Sequence, residues 1–170
     1  MKSVTFVRAR RVHPGLCARY LSSQREPWQD DHMMREQRPF GKHEMYIEGD
    51  IVVTVTHGVF TLDEAHLLIR AMQEVIDRYG YGLVLSDNTG LDGMAPEARR
   101  ESARWSVGKP ILGSATIHGS RAVRILIGLL FKAMNLIGKQ SIRLEFFQTE
   151  EAARQWLNEL RREHLAKVKS

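Results

Sequence analysis

The 170-residue chain is 43% hydrophobic and 26% charged, the composition of one domain with its own core. Its formal charge of +5 is unevenly spread: residues 1–34 hold six Lys or Arg against three acids, and the remainder 19 against 17. A nearly neutral body with no basic stripe interleaved with aromatics argues against a nucleic-acid partner, and no apolar run reaches the roughly 18–20 residues of a bilayer span.

The single cysteine, Cys17, excludes an intramolecular disulfide and a cysteine-rich zinc site, which makes a reducing cytoplasm the default compartment. Residues 1–41 read as a basic leader without sustained periodicity, to be kept out of the fold. It lacks the continuous apolar stretch of a secretory signal. Arg-rich and acid-poor at its start, it shares features with a mitochondrial presequence. A disordered extension ahead of a start at Met33 or Met34 is the favoured reading. The domain is expected over residues 42–166, with 167–170 as a tail.

In chain order, HEMYIEGDIVVTVTH predicts two extended runs around a Gly49-Asp50 hairpin turn. Thr61 followed by Glu64 is a capping box that opens a helix. Its apolar stripe is Leu62, Ala65, Leu68, Ile69, Met72, Val75, Ile76 and Tyr79, and Gly80 and Gly82 close it. GLVLSD reads as a buried strand, residues 87–94 as a strand–helix loop, and Pro96 as the first residue of a second helix. ILGSATIH is another strand, SRAVRILIGLLFKAMNLIGK a third helix, IRLEFF the last strand, and Thr149 the cap of a fourth helix. The order β-β-α-β-α-β-α-β-α predicts an α/β domain: a single mixed, mainly parallel sheet flanked by about four helices.

The third helix is the most unusual segment. Arg121, Arg124, Gly128, Lys132, Asn135 and Lys139 fall within a sector of roughly 80° at 3.6 residues per turn, and nearly everything else between them is large and apolar. A helix lying on a sheet buries an arc of somewhat over 100°, so the flanks are expected to contact something further. A neighbouring helix or dimer interface is one explanation; an apolar groove for a lipid-like ligand or a membrane surface is the other.

Chemistry is sparse. No P-loop, dinucleotide fingerprint, nucleophile elbow or zinc-helix motif occurs. His57 and His118 are read at two strand ends, with no third ligand at useful spacing. Asp87 and Asp92 flank the expected loop, where such residues ordinarily satisfy their own backbone. Arg99, Arg100 and Arg104 lie on the expected outer face of the second helix, interleaved with Glu97 and Glu101. No enzyme, metal or cofactor is expected.

Four stretches together resemble the STAS-like (SpoIIAA-like) family, small bacterial α/β proteins related to anti-sigma-factor antagonists with a CRAL-TRIO-like architecture. They are VVTVTHGVFTLDEA, LVLSDNTGLDGMAPEARR, GSATIHGSRAVRILIGLL and FFQTEEAARQWL, and the likeness covers residues 44–163. The resemblance implies a non-enzymatic regulatory module that binds a protein partner or itself. It also implies that the serine phosphorylated in the antagonists falls among Gly93, Met94, Ala95 and Pro96, none of which has a hydroxyl. The expected contact residues are Asp87, Asn88, Thr89, Asp92, Gly93 and Met94 of the loop, with Ile127, Leu130, Phe131 and Met134 of the third helix. The alternative is a carrier or sensor of a small apolar, lipid-like ligand.

Overall fold

The computed structural model describes residues 35–169; the expectations for residues 1–34, including Cys17 and the start at Met33 or Met34, lie outside them. One six-stranded sheet runs in the order β1-β2-β3-β4-β5-β6. Strand β1 (Glu36–Arg38) pairs antiparallel with β2 (Glu44–Glu48), and β2 pairs antiparallel with β3 (Ile51–Phe60). Strands β4 (Gly82–Met94), β5 (Ile111–Ile117) and β6 (Arg143–Phe147) then add in parallel. The helices are α1 (Leu62–Tyr79), α2 (Pro96–Ser106), α3 (Arg121–Gly138) and α4 (Glu150–Lys169). The α/β class, the mixed sheet and the four helices are those the sequence predicts.

Three of the four helices begin at a side chain that caps their free amides. At α1 the Thr61 side chain takes the Glu64 amide while the Glu64 carboxylate takes the Thr61 amide, and Gly80 closes the helix in the left-handed region at φ 80°. Ser120 caps α3 by accepting from the Val123 amide, and Thr149 caps α4 through the Ala152 amide. Pro96 opens α2 without a side-chain cap. Its missing N–H is one the helix would have left unpaired anyway.

Three boundaries differ from expectation. The domain starts before residue 42: β1 adds to the sheet edge and Phe40 is buried in the core. A strand of only Glu36, Gln37 and Arg38 shows no apolar alternation, because its pairing uses backbone groups alone. At the other end α4 continues to Lys169, so no tail begins at 167. Residues 87–94 are strand rather than loop. They extend β4 beside the end of β3, with His57 opposite Gly90 and Phe60 opposite Met94, across two register shifts. Gly90 is required there, since a Cβ would come within 2.7 Å of His57 Nδ1 and 2.9 Å of the Thr56 carbonyl. His57 therefore lies inside β3 and not at its end.

The sheet separates two cores. Val52, Met72, Val75, Ala98 and Val123 belong to one, which packs α1, α2 and α3 on the front face. Ile51, Val53, Leu83, Leu85, Ala153, Leu157 and Leu160 belong to the other, where α4 covers the back. Alternate residues of β3 and β4 thus serve opposite layers. The back is further tied by a buried network: Asp50 Oδ2 accepts from Tyr81 Oη at 2.7 Å and from Arg161 Nε at 2.6 Å, while Asp50 Oδ1 accepts from Arg161 Nη2. Burial, followed by the adjacent Asp50 carboxylate, pushes the Tyr81 phenol well above its ordinary range.

Candidate functional site

Strands buried on both faces are ordinarily near-continuous in Val, Ile and Leu. The front face beneath α3 departs from this. Thr54, Ser86 and Thr116 stand in register across β3, β4 and β5, and Ser114 lies opposite Val84 one row earlier. Thr56 and Asn88 follow one row later on β3 and β4. Five of these six side chains (all but Ser86) belong to buried residues. The Thr54 and Ser86 hydroxyls share a hydrogen bond of 2.8 Å, and Thr56 Oγ1 donates to Asn88 Oδ1 at 2.8 Å.

Above this polar floor is a cavity of about 110 Å3, with Val84, Phe60, Leu91 and Met94 at its sides and Ile127, Leu130 and Phe131 of α3 as its roof. No charged side chain lines it. Asn88 is only 3% exposed, yet its Nδ2 is buried with no hydrogen-bond partner. Leaving such a donor unmatched costs on the order of 1–3 kcal/mol.

The expected contact residues divide accordingly. Asn88, Met94, Ile127, Leu130 and Phe131 come together around this cavity. Met134 is buried in the front core instead. Asp87 Oδ1 accepts from the Thr89 amide at 2.9 Å and hydroxyl at 2.6 Å, and lies 3.4 Å from His118 Nδ1. Burial raises the Asp87 carboxyl, but the Thr89 bonds and the nearby His118 outweigh it and hold it below its ordinary value. Thr89 and Asp92 are exposed and Gly93 half-buried on the β3–β4 extension, away from the cavity. Among the described residues no three His, Cys, Asp or Glu side chains cluster as a metal would require.

The remaining floor residues, Thr54, Thr56, Ser86, Ser114 and Thr116, were not singled out from sequence, where the threonines count simply as β-branched strand formers. The available signal was an alternation of polar residues, T-x-T, S-x-N and S-x-T, in three successive strands.

The outer side of α3 forms a second feature. Val123 and Met134 are its only buried residues, whereas Ile125, Leu129, Leu136 and Ile137 are exposed, Leu136 by 81%. Between α2 and α3 runs a groove of about 510 Å3 walled by Ala103, Val107, Leu126, Leu129, Leu130, Ala133 and Ile137, with Arg99, Arg100 and Arg104 along it. Arg99, expected on a solvated face, is half-buried with its Nε enclosed and unpartnered. Asn135, expected in the polar sector, turns to the chain instead: its side chain donates to the Ile142 carbonyl at 3.0 Å and accepts the Ile142 amide at 2.8 Å. It thereby fixes the entry to β6. No described helix is long and apolar enough to cross a membrane.

No protein-family profile matches the chain, and no curated protein matches it. Among solved structures it is similar to an uncharacterized protein of the DUF3478 family with a SpoIIAA-like fold from Shewanella loihica PV-4. That match has 17% identity over 73% of this chain and 95% of the other, with a TM-score of 0.48. It is also similar to the anti-sigma factor antagonist SpoIIAA in its unphosphorylated form, at 11% identity over 74% of this chain and 98% of the other, with a TM-score of 0.42. The likeness is one of fold alone.

Proposed function

We propose that the protein is a non-enzymatic, cytoplasmic binding module whose α2–α3 groove receives an apolar, acid-flanked segment of a protein partner. The observation that carries this reading is the exposed apolar side of α3, continuous with the groove at Leu129 and Ile137. Patches of this kind, edged by charge, mark interaction surfaces.

Charge selects the partner. Along the groove lie Arg99, Arg100 and Arg104 of α2, against Glu97 and Glu101 on the same helix; the basic residues of α3 lie outside it, with Arg124 over the Phe146 ring of β6. Those two acids pair with Arg100 at 3.3 Å and Arg104 at 2.5 Å. A symmetric dimer would set this basic face against itself, whereas an acidic segment would meet it with opposite sign and associate faster at low salt.

A photo-crosslinking residue placed at Leu129 in the native host tests the reading, with a second at Glu151 on α4 as control. The expected product is a Leu129 adduct heavier by one foreign chain and lost when Arg99 and Arg104 are changed to Glu. An adduct of twice the chain mass would replace the partner by a second copy. Equal crosslinking at both positions would remove the groove from consideration.

A further inference from the structure

The cavity under α3 is a second site, independent of the partner reading, and it sharpens the ligand alternative raised by the sequence. We propose that it binds a small uncharged molecule carrying one hydrogen-bond acceptor, such as a ketone, ester or amide oxygen, with an apolar remainder no larger than a small ring. The acceptor pairs with Asn88 Nδ2, and the apolar part lies against Ile127, Leu130 and Phe131.

Three observations converge on this class. Thr56 Oγ1 donates to Asn88 Oδ1 at 2.8 Å, and with the amide in this orientation its Nδ2 is buried without a partner. Buried polar groups in folded proteins almost always have partners, so an unmatched donor on the wall of a cavity marks where an acceptor belongs. The absence of a charged side chain from the lining leaves an anionic or cationic head with nothing to offset its desolvation. The volume of about 110 Å3 lies somewhat below the roughly 150 Å3 at which an apolar cavity admits benzene.

The rival occupant is water, which would satisfy Asn88 equally well but would face the apolar side chains of Ile127, Leu130 and Phe131. Three probes of similar bulk separate these cases: cyclopentanone, cyclopentane and butanoate, titrated into the full-length protein labelled with nitrogen-15. The expected result is a saturable shift of the Asn88 side-chain amide signals with cyclopentanone. Cyclopentane should bind at least about fivefold more weakly for want of the hydrogen bond, and butanoate should leave these signals unmoved. Asn88→Leu should abolish the preference for the ketone over the hydrocarbon. Ile127→Trp, which fills the cavity from the roof and leaves the floor intact, should abolish binding of both.

Ketone and hydrocarbon binding equally would overturn the role of Asn88. An amide signal indifferent to the ketone, with water alone found in the cavity, would overturn the site. So would full ketone affinity in a folded Ile127→Trp protein. Crosslinking at Leu129 is a separate readout, so either proposal can fail without the other.

Discussion

The two faces of the sheet are built to different specifications. Behind it, α4 sinks Ala153, Leu157 and Leu160 to 1% exposure or less and locks Arg161 onto Asp50 and Tyr81. In front, α3 has 18 residues but buries only two, over a floor of hydroxyls and an amide. Helices of similar length on one sheet thus differ in what their sequences are spent on. The back secures the fold, and the front leaves apolar and polar groups incompletely used. Departures from the usual pattern of a buried sheet concentrate at functional positions, and here they lie on one face.

The contrast is most exposed to failure at Arg161. Arg161→Ala leaves Asp50 buried without its counter-charge, and removing one partner of a buried pair costs about 3–5 kcal/mol. Urea unfolding should show that loss. A loss below about 1 kcal/mol would mean the back is not secured as described. Leu157→Ala should cost about 2–5 kcal/mol in the same assay.

Asn88→Leu should move stability by less than about 1 kcal/mol, because it removes an unmatched donor together with the bond from Thr56, whose hydroxyl keeps the Asp87 carbonyl at 3.2 Å as a partner. A loss of several kcal/mol would show that the front floor is structural after all. Leu136→Ala, at the most exposed apolar position, should move stability by less than about 0.5 kcal/mol.

The pH dependence sharpens the comparison further, because the front layer has its own titrating group. His43 lies between Phe40 and Phe60, accepts the His57 amide on Nδ1 at 3.0 Å, and has Nε2 3.0 Å from Glu64 Oε2 at an angle too poor for a hydrogen bond. Burial depresses its imidazole below the ordinary value of 6.5, and the opposing pull of Glu64 does not restore it. The unfolded chain therefore holds more protons than the folded one just below that value, so stability falls as pH drops through it. Unfolding midpoints should decline between about pH 7 and pH 5, and His43→Phe should flatten that part of the profile.

Local chemistry made the helices legible. The Thr61–Glu64 box, the Ser120 and Thr149 caps and the 3.6-residue stripe of α1 each act within a few residues, so the linear chain displays them. Strand β1 was hidden because three polar residues can join a sheet edge through their backbone. Residues 87–94 read as a loop in the linear chain because Asp, Asn and Gly dominate them. What decides their conformation is β3, some thirty residues earlier in the chain. The candidate cavity was half visible: Asn88, Met94, Ile127, Leu130 and Phe131 were singled out for separate reasons, and only the fold unites them. Its hydroxyl floor went unseen, since a cross-strand row becomes a pattern only once the register of three strands is known.

Gly113 carries a consequence for how the molecule can yield. A Cβ there would come within 2.5 Å of Leu160 Cδ1, 3.0 Å of the Arg143 carbonyl and 3.1 Å of Trp156 Cη2, so α4 is inlaid against bare backbone of β5 with no slack between them. A domain clamped this tightly along one side can breathe only on the other. Thermal amplitude and the exchange of amide hydrogens should accordingly be distributed as in a hinged box, with the base still and the cover stirring.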